Sequence, residues 1–247
     1  MRSLVDMSEL TRAADVLAEV WGYPHGQLPV TPELLRAFEH AGNYVAGAFV
    51  DGGLVGASAA FFGRHADDVF LHSHITGVLA RYQGRDIGYG LKQHQREWAL
   101  ERGVDTIEWT FDPLIRRNAY FNLSRLGAVI VGYERDLYGA MRDAVNAGEE
   151  TDRAVVRWQL LAPARQPVDA SDPSVILSPD ADGRPLCAES DTAVLHAWIP
   201  ENYVRDRDRL VGWRRAVRDT FGAAIGRGFV GVHMSRDGWY TLVRDTT

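Results

Sequence analysis

Between Ser8 and Trp21 the apolar residues Leu10, Ala13, Ala14, Leu17 and Trp21 recur three and four positions apart, the period of a helix with one buried face. Ser8 is placed to cap it. Positions 22–30 carry two prolines and two glycines and read as loop. Thr31-Pro32-Glu33 then supplies a cap, an N1 proline and a first-turn acid for a second helix, running to about His40. Here the period shortens to two. Asn43–Val50 and Leu54–Phe62 flank the turn Asp51-Gly52-Gly53, and Val69–Leu79 forms a third extended run. Ile87, Leu91 and Trp98 mark a helix to about Arg102, closed by Gly103. Thr106–Phe111 is a short strand broken by Asp112-Pro113, and Leu114–Leu126 a helix closed by Gly127. Ala128–Tyr138 and Asp152–Leu161 read as extended, with a helical or loop insert around Met141–Gly148.

The pattern is interrupted at Ala162, where three prolines and small polar residues indicate a linker over about 162–174. Beyond it, Ser174–Leu177 and Thr192–Trp198 look extended. Val204–Gly226 is a long helix with Leu210, Trp213, Val217, Phe221 and Ile225 on one face. Phe229–Met234 and Trp239–Val243 form a hairpin around Asp237-Gly238. The expected architecture is α/β (α+β), with a larger domain over 1–162 and a smaller α+β domain over 163–247.

Composition narrows the classes. With 247 residues, 46% of them apolar, the chain can bury a core without disulfides. Lys plus Arg is 27 against 33 Asp plus Glu, a net charge of −6, which argues against nucleic acid or an anionic membrane as partner. One cysteine, Cys187, rules out an internal disulfide and a cysteine-rich metal site. No run of 18 apolar residues occurs and the first residues show no apolar leader core, so the expected location is cytoplasmic.

The stretch with most chemical content runs from Ile75 to Lys92: a strand, a glycine-bearing turn, then a helix. The first turn of a helix leaves N–H groups without intrahelical partners and carries partial positive charge, which suits a pyrophosphate. Gly84, Gly88 and Gly90 do not fit G-x-G-x-x-G, and no G-K-[ST] follows, so neither a dinucleotide fingerprint nor a P-loop is present. Val78-Leu79-Ala80-Arg81-Tyr82-Gln83-Gly84-Arg85-Asp86-Ile87-Gly88 resembles the V-x-P-x-Y-R-G-x-G-I-G loop of the GCN5-related N-acetyltransferase (GNAT) superfamily, departing at Ala80 and Asp86. Element order over about 160 residues agrees, and Asn118 with Leu126-Gly127-Ala128 matches the family's later signature. The family's tyrosine before that signature falls on Leu123. Trp109–Ala128 also looks like a bacterial branch of predicted acetyltransferases that includes candidate amino-acid N-succinyltransferases.

This resemblance implies acyl transfer from acetyl-CoA or succinyl-CoA to a small-molecule amine, such as an amino acid, without a metal. Backbone around Thr76, Gly77 and Val78 would face the pantetheine, and Gln83, Gly84, Arg85, Asp86, Ile87, Gly88 and Tyr89 the pyrophosphate, with Tyr89 equally suited to packing. Asn118 would bind the pantetheine amides. His72 and His74 share a strand face and suit a base relay; arylalkylamine N-acetyltransferases are similar in carrying His-x-His there. Glu108 is either a base acting through water or an outward-facing charge alternating with Ile107 and Trp109. Tyr120, three residues from Leu123, is a candidate proton donor to the thiolate. Arg116 or Arg117 would pair a substrate carboxylate.

Other signals are weaker. Gly56–Ala60 lacks the second glycine of a nucleophile elbow, and the sequon at Asn122 lies in a helix. The arginines of 205–227 alternate with aspartates and read as a solvated face. Two competing readings remain. One is a non-catalytic acyl-CoA-binding module, motivated by Asp86 and Leu123. The other is an interaction protein forming a homodimer through the 239–243 strand of the C-terminal hairpin.

Overall fold

The computed structural model describes residues 1–66, 68–139, 150–163, 173–201 and 207–245. The insert expected at Met141–Gly148 and most of the expected linker lie outside them. Two compact units are present. Unit 1 comprises 1–109, 140–148 and 159–161; unit 2 comprises 110–139, 149–158 and 162–247. The division therefore falls after Trp109, upstream of the proline-rich segment. The physical reason is strand pairing: Ile130, well before that segment, is bonded in register with Gly231, well after it.

In unit 1, β1 (Arg2–Ser3), α1 (Met7–Trp21), α2 (Pro32–His40), β2 (Tyr44–Val50), β3 (Gly53–His65) and β4 (Asp68–Val78) are followed by a 3₁₀ turn (Ala80–Tyr82), α3 (Ile87–Leu100) and β5 (Thr106–Phe111), whose last two residues belong to unit 2. The strands lie in the order β1-β2-β3-β4-β5, antiparallel except that β5 runs parallel to β4. The cap of α1 is Asp6, which accepts from the Ser8 N–H at 2.8 Å, so the helix starts one residue before the expected cap, Ser8. Thr31 caps α2 as expected, accepting from Leu34 N–H at 3.2 Å. Asp51 (φ 49°) and Gly52 (φ 77°) both take positive φ, the two-residue turn that matches strand twist. Leu10, Ala13, Ala14 and Leu17 of α1 bury one sheet face with Ala57, Ala59 and Ile75; Ile87 and Leu91 of α3 bury the other with Ala48 and Val55.

In unit 2, α4 (Arg116–Ala119) runs into a π-helical turn (Tyr120–Arg125) where one continuous α-helix was expected. Then come β6 (Val129–Glu134), β7 (Arg153–Gln159, of which Gln159 belongs to unit 1), β8 (Ser174–Pro179), β9 (Pro185–Cys187), β10 (Val194–Trp198), α5 (Arg207–Gly226), β11 (Phe229–Met234) and β12 (Trp239–Arg244). Their order is β7-β6-β11-β12-β10-β8-β9, mostly antiparallel, with β8 parallel to β10. The strand proposed from sequence as a dimerising edge is β12. It is paired on both sides, by β11 and β10, so it offers no free edge.

Candidate functional site

The site in unit 1 is built on an irregularity in β4. Ala59 pairs with Ile75 and Ala60 with Ser73, so His74 is an extra residue, a β-bulge. The bulge changes which face each side chain takes. Before it, Ser73 points toward α3, where its hydroxyl meets Lys92; after it, Ile75 packs with α1 and Thr76 turns toward α3. His72 and His74 share the opposite face, with ring centroids 6.3 Å apart. Both lie against Phe61, at 4.9 and 5.8 Å, and Phe61 packs on Phe38 of α2.

The same strand parts from its parallel neighbour. Among the described residues, the register joins β4 to β5 only at Leu71↔Ile107 and His72↔Glu108. From the bulge to Val78 the backbone edge on that side is therefore not engaged by β5. An extended amide-bearing molecule could add there as a strand would.

Glu108 is not the outward-facing charge that its alternation with Ile107 and Trp109 allowed. It is 5% exposed and its Oε2 lies 3.0 Å from Nε2 of His65. His65, stacked on Phe70 at 4.4 Å, is a site residue the sequence reading missed; its distance of 43 positions from Glu108 leaves no local signal. Burial, then the neighbouring His74, pull the His72 pKa down to about 4, with Lys92 adding to the fall and Glu108 opposing it. His72 is thus neutral at pH 7. Burial also lowers the pKa of His74, although its own surface is open to solvent.

The glycine turn follows β4 directly. The Gln83 side-chain amide donates to Val78 O at 3.1 Å and closes the turn. Gly84 has φ 77°, which glycine adopts without strain. Asp86 precedes α3 with φ 56°, a left-handed conformation, and its side chain does not cap the helix. Gly88 has only Val78 within reach of an added Cβ, at 3.9 Å, so the approach to the first turn is open. Arg81 and Arg85 flank the Tyr82 ring at 5.3 and 5.5 Å and bring positive charge to the turn that offsets Asp86. Tyr89 is half-buried on α3. Thr76 Oγ1 is 2.8 Å from Ser58 Oγ, and Gly77 faces Leu17 and Val20 of α1, where a Cβ would meet Val20 at 3.0 Å. Gly77 is thus a packing glycine.

In unit 2, Asn118 is half-buried, its N–H donating to Ile115 O at 3.0 Å. Tyr120, half-buried at the start of the π turn, lies 3.4 Å through its hydroxyl from Arg236 Nε. Leu123, at the family's tyrosine position, is 2% exposed. Arg116 is committed to structure: its guanidinium donates to Ile199 O at 2.7 Å through Nε and lies 4.8 Å over the Trp198 ring. Arg117 is exposed. Among the described residues no group of three or more His, Cys, Asp or Glu is placed to hold a metal ion.

No protein-family model matches the chain, and no curated protein matches it. Solved structures do. An acetyltransferase of the GNAT family from Streptococcus pneumoniae superposes with a TM-score of 0.50 at 16% identity, over 63% of this chain and 95% of its own. Aminoglycoside 6'-acetyltransferase type Ii superposes with a TM-score of 0.50 at 16% identity, over 66% of this chain and 97% of its own. The fold is thus GNAT-like, as the loop and element order implied. About a third of the chain lies outside each match.

Proposed function

We propose that this chain is an acyl-CoA-dependent N-acyltransferase acting on the amine of a small molecule. The observation that carries the reading is the geometry of β4. The strand bulges at His74, leaves β5, and runs straight into a glycine turn that opens onto the N-terminus of α3. An acyl-CoA needs those features in that order: a strand edge for the pantetheine amides, then backbone N–H groups for the pyrophosphate.

Acyl transfer needs a neutral amine held against the thioester and a route for its proton. His72 suits that route. With a pKa near 4 it accepts a proton only transiently and passes it on, and buried Glu108 beside it stabilises the imidazolium that forms. His74 extends the same face toward solvent. Acetyl and succinyl donors are both compatible with the turn. An acceptor bearing a carboxylate, such as an amino acid, would pair with a guanidinium, and Arg116 already holds Ile199 and Trp198.

The test is thermal unfolding with CoA, acetyl-CoA and succinyl-CoA, followed by an amine screen with the stabilising donor. A ligand at 100 times its Kd adds about 2.7 kcal/mol. Stabilisation by one donor and release of free thiol with an amine is the expected result. Stabilisation without thiol release from any amine favours the non-catalytic module. No stabilisation by any of the three overturns the reading.

A further inference from the structure

The chain has 27 cationic side chains of the Lys/Arg type, and only one, Lys92, is a lysine. It is also buried, with 5% of its surface exposed. Its Nζ donates to Ser73 Oγ at 2.8 Å and to Gln95 Oε1 at 3.3 Å, and lies 3.8 Å from the centroid of the Trp109 ring. Those three contacts match the three hydrogens of an ammonium. Among the described residues no carboxylate lies within ion-pair distance of it. The titratable and charged groups on the elements packed around it include Tyr44 of β2, Arg64 and His65 of β3, Asp68, His72 and His74 of β4, Glu108 of β5, and Tyr89, His94, Arg96 and Glu97 of α3 itself. The histidine pair and Glu108 sit on the other face of the sheet.

The surroundings are a polar island in an apolar layer. Gln95 Nε2 donates to Ser58 Oγ at 3.4 Å, and Ser58 Oγ meets Thr76 Oγ1 at 2.8 Å. Lys92 is therefore connected to β4 at two points, Ser73 and Thr76, on either side of the bulge and both beginning or within the stretch that β5 does not pair. Ser73 accepts from Lys92, and its own hydrogen has no acceptor among the described residues. A buried lysine without a carboxylate partner is costly. What lysine offers and arginine does not is the ability to lose its proton. Burial moves Lys92 in that direction, to a pKa of about 7.

We propose that Ser73 is a catalytic residue, the proton donor to the departing CoA thiolate, and that Lys92 is the positioning residue that recharges it. This rests on the N-acyltransferase reading above and names the acid that Leu123 lacks. As the amine nitrogen bonds to the thioester carbon, the C–S bond breaks and its electron pair stays on sulfur. The Ser73 hydroxyl gives its proton to sulfur while the Lys92 ammonium gives one to Ser73 Oγ. Free thiol, amide and neutral Lys92 result. The proton shed by the acylated nitrogen leaves on the His72 face, and solvent returns one to Lys92 after the thiol departs.

The experiment compares wild type, Ser73→Ala and Lys92→Met with two donors: the acyl-CoA that stabilises the chain, and the same acyl group on 4-nitrothiophenol, whose thiolate leaves without protonation. The expected result is a loss of about 100-fold in kcat for both variants with the acyl-CoA and at most a few-fold with the nitrothiophenyl ester. The alkaline fall of kcat for wild type, as Lys92 loses its proton above about pH 7, would disappear in Lys92→Met. Equal losses on both donors, or no loss in either variant, overturn the relay while leaving the N-acyltransferase reading intact. Ser73→Ala keeps two of the three contacts to Lys92, so it decides the matter should Lys92→Met not fold. A wild type that binds no acyl-CoA overturns the N-acyltransferase reading itself, and the relay with it.

Discussion

Each unit buries charge, and each does so differently. In unit 2, Arg214 meets Asp112 at 2.9 Å with both side chains nearly fully buried. One helical turn on, Arg218 holds Asp152, whose other oxygen contacts include Tyr133 at 2.7 Å and the Asp136 N–H at 3.1 Å. Among the described residues, each buried carboxylate there has a guanidinium. Burial would raise the Asp152 pKa, yet the bonds from Arg218 and Tyr133 outweigh it and hold it below the usual range. In unit 1, the contacts of buried Lys92 among the described residues are a hydroxyl, an amide and a ring, and His72 is pushed to neutrality. Matched charges lock α5 onto its sheet. Unmatched ones sit close to a change of protonation state, which is what acid–base chemistry requires.

That contrast can be broken at its strongest point first. Arg214→Ala leaves Asp112 buried beside a cavity and is expected to cost about 3–5 kcal/mol of stability in urea unfolding. A cost below about 1 kcal/mol would mean that the pair is not structural. Lys92 makes the opposite prediction. Its folded pKa is about 7 against an ordinary 10.5, so between those values the unfolded chain binds the extra proton. Stability then rises with pH by about 1.4 kcal/mol per unit within that window, and the rise stops below pH 7 and above 10.5. Lys92→Met should abolish that slope; urea midpoints at pH 7, 8 and 9 test it, and an unchanged slope assigns the proton elsewhere. A smaller effect is expected at the turn. Asp86→Gly removes a left-handed non-glycine residue, which gains about 0.5 kcal/mol, and takes a negative charge away from the pyrophosphate turn, which tightens CoA binding several-fold by calorimetry. Weaker binding would show that Asp86 contacts the ligand favourably. The smallest change is spectroscopic. Glu108→Gln removes the one influence that raises His72, so the imidazole NMR titration should move further below about 4, and a rise would contradict the charge arrangement.

Much of the fold was readable along the chain. Thr31 and Pro32 start a helix because cap and fixed φ are local properties, and Asp51-Gly52 turns a hairpin for the same reason. The glycine turn was also readable, since its conformation depends on Gly84 and its neighbours alone. His72 and His74 were legible as a pair because alternation on a strand is local. Three things were not. The π turn at Tyr120–Arg125 broke an expected α-helix. The two compact units divide after Trp109, and β6 pairs with β11 across a hundred residues. Glu108 could be either a base or an outward-facing charge along the sequence, because its partner, His65, lies on the β3–β4 hairpin, 43 positions away.

Sequence by itself therefore determined the elements, their order, the glycine turn and the histidine pair, since each follows from φ preferences and side-chain periodicity within a few residues. Tertiary structure alone decided the rest. It placed the bulge at His74, which turns Ser73 and Thr76 to the same face as Lys92. It committed Arg116 to Ile199 and buried Glu108 beside His65. The physical reason is that register, burial and protonation state are set by neighbours that only folding brings within a few ångströms.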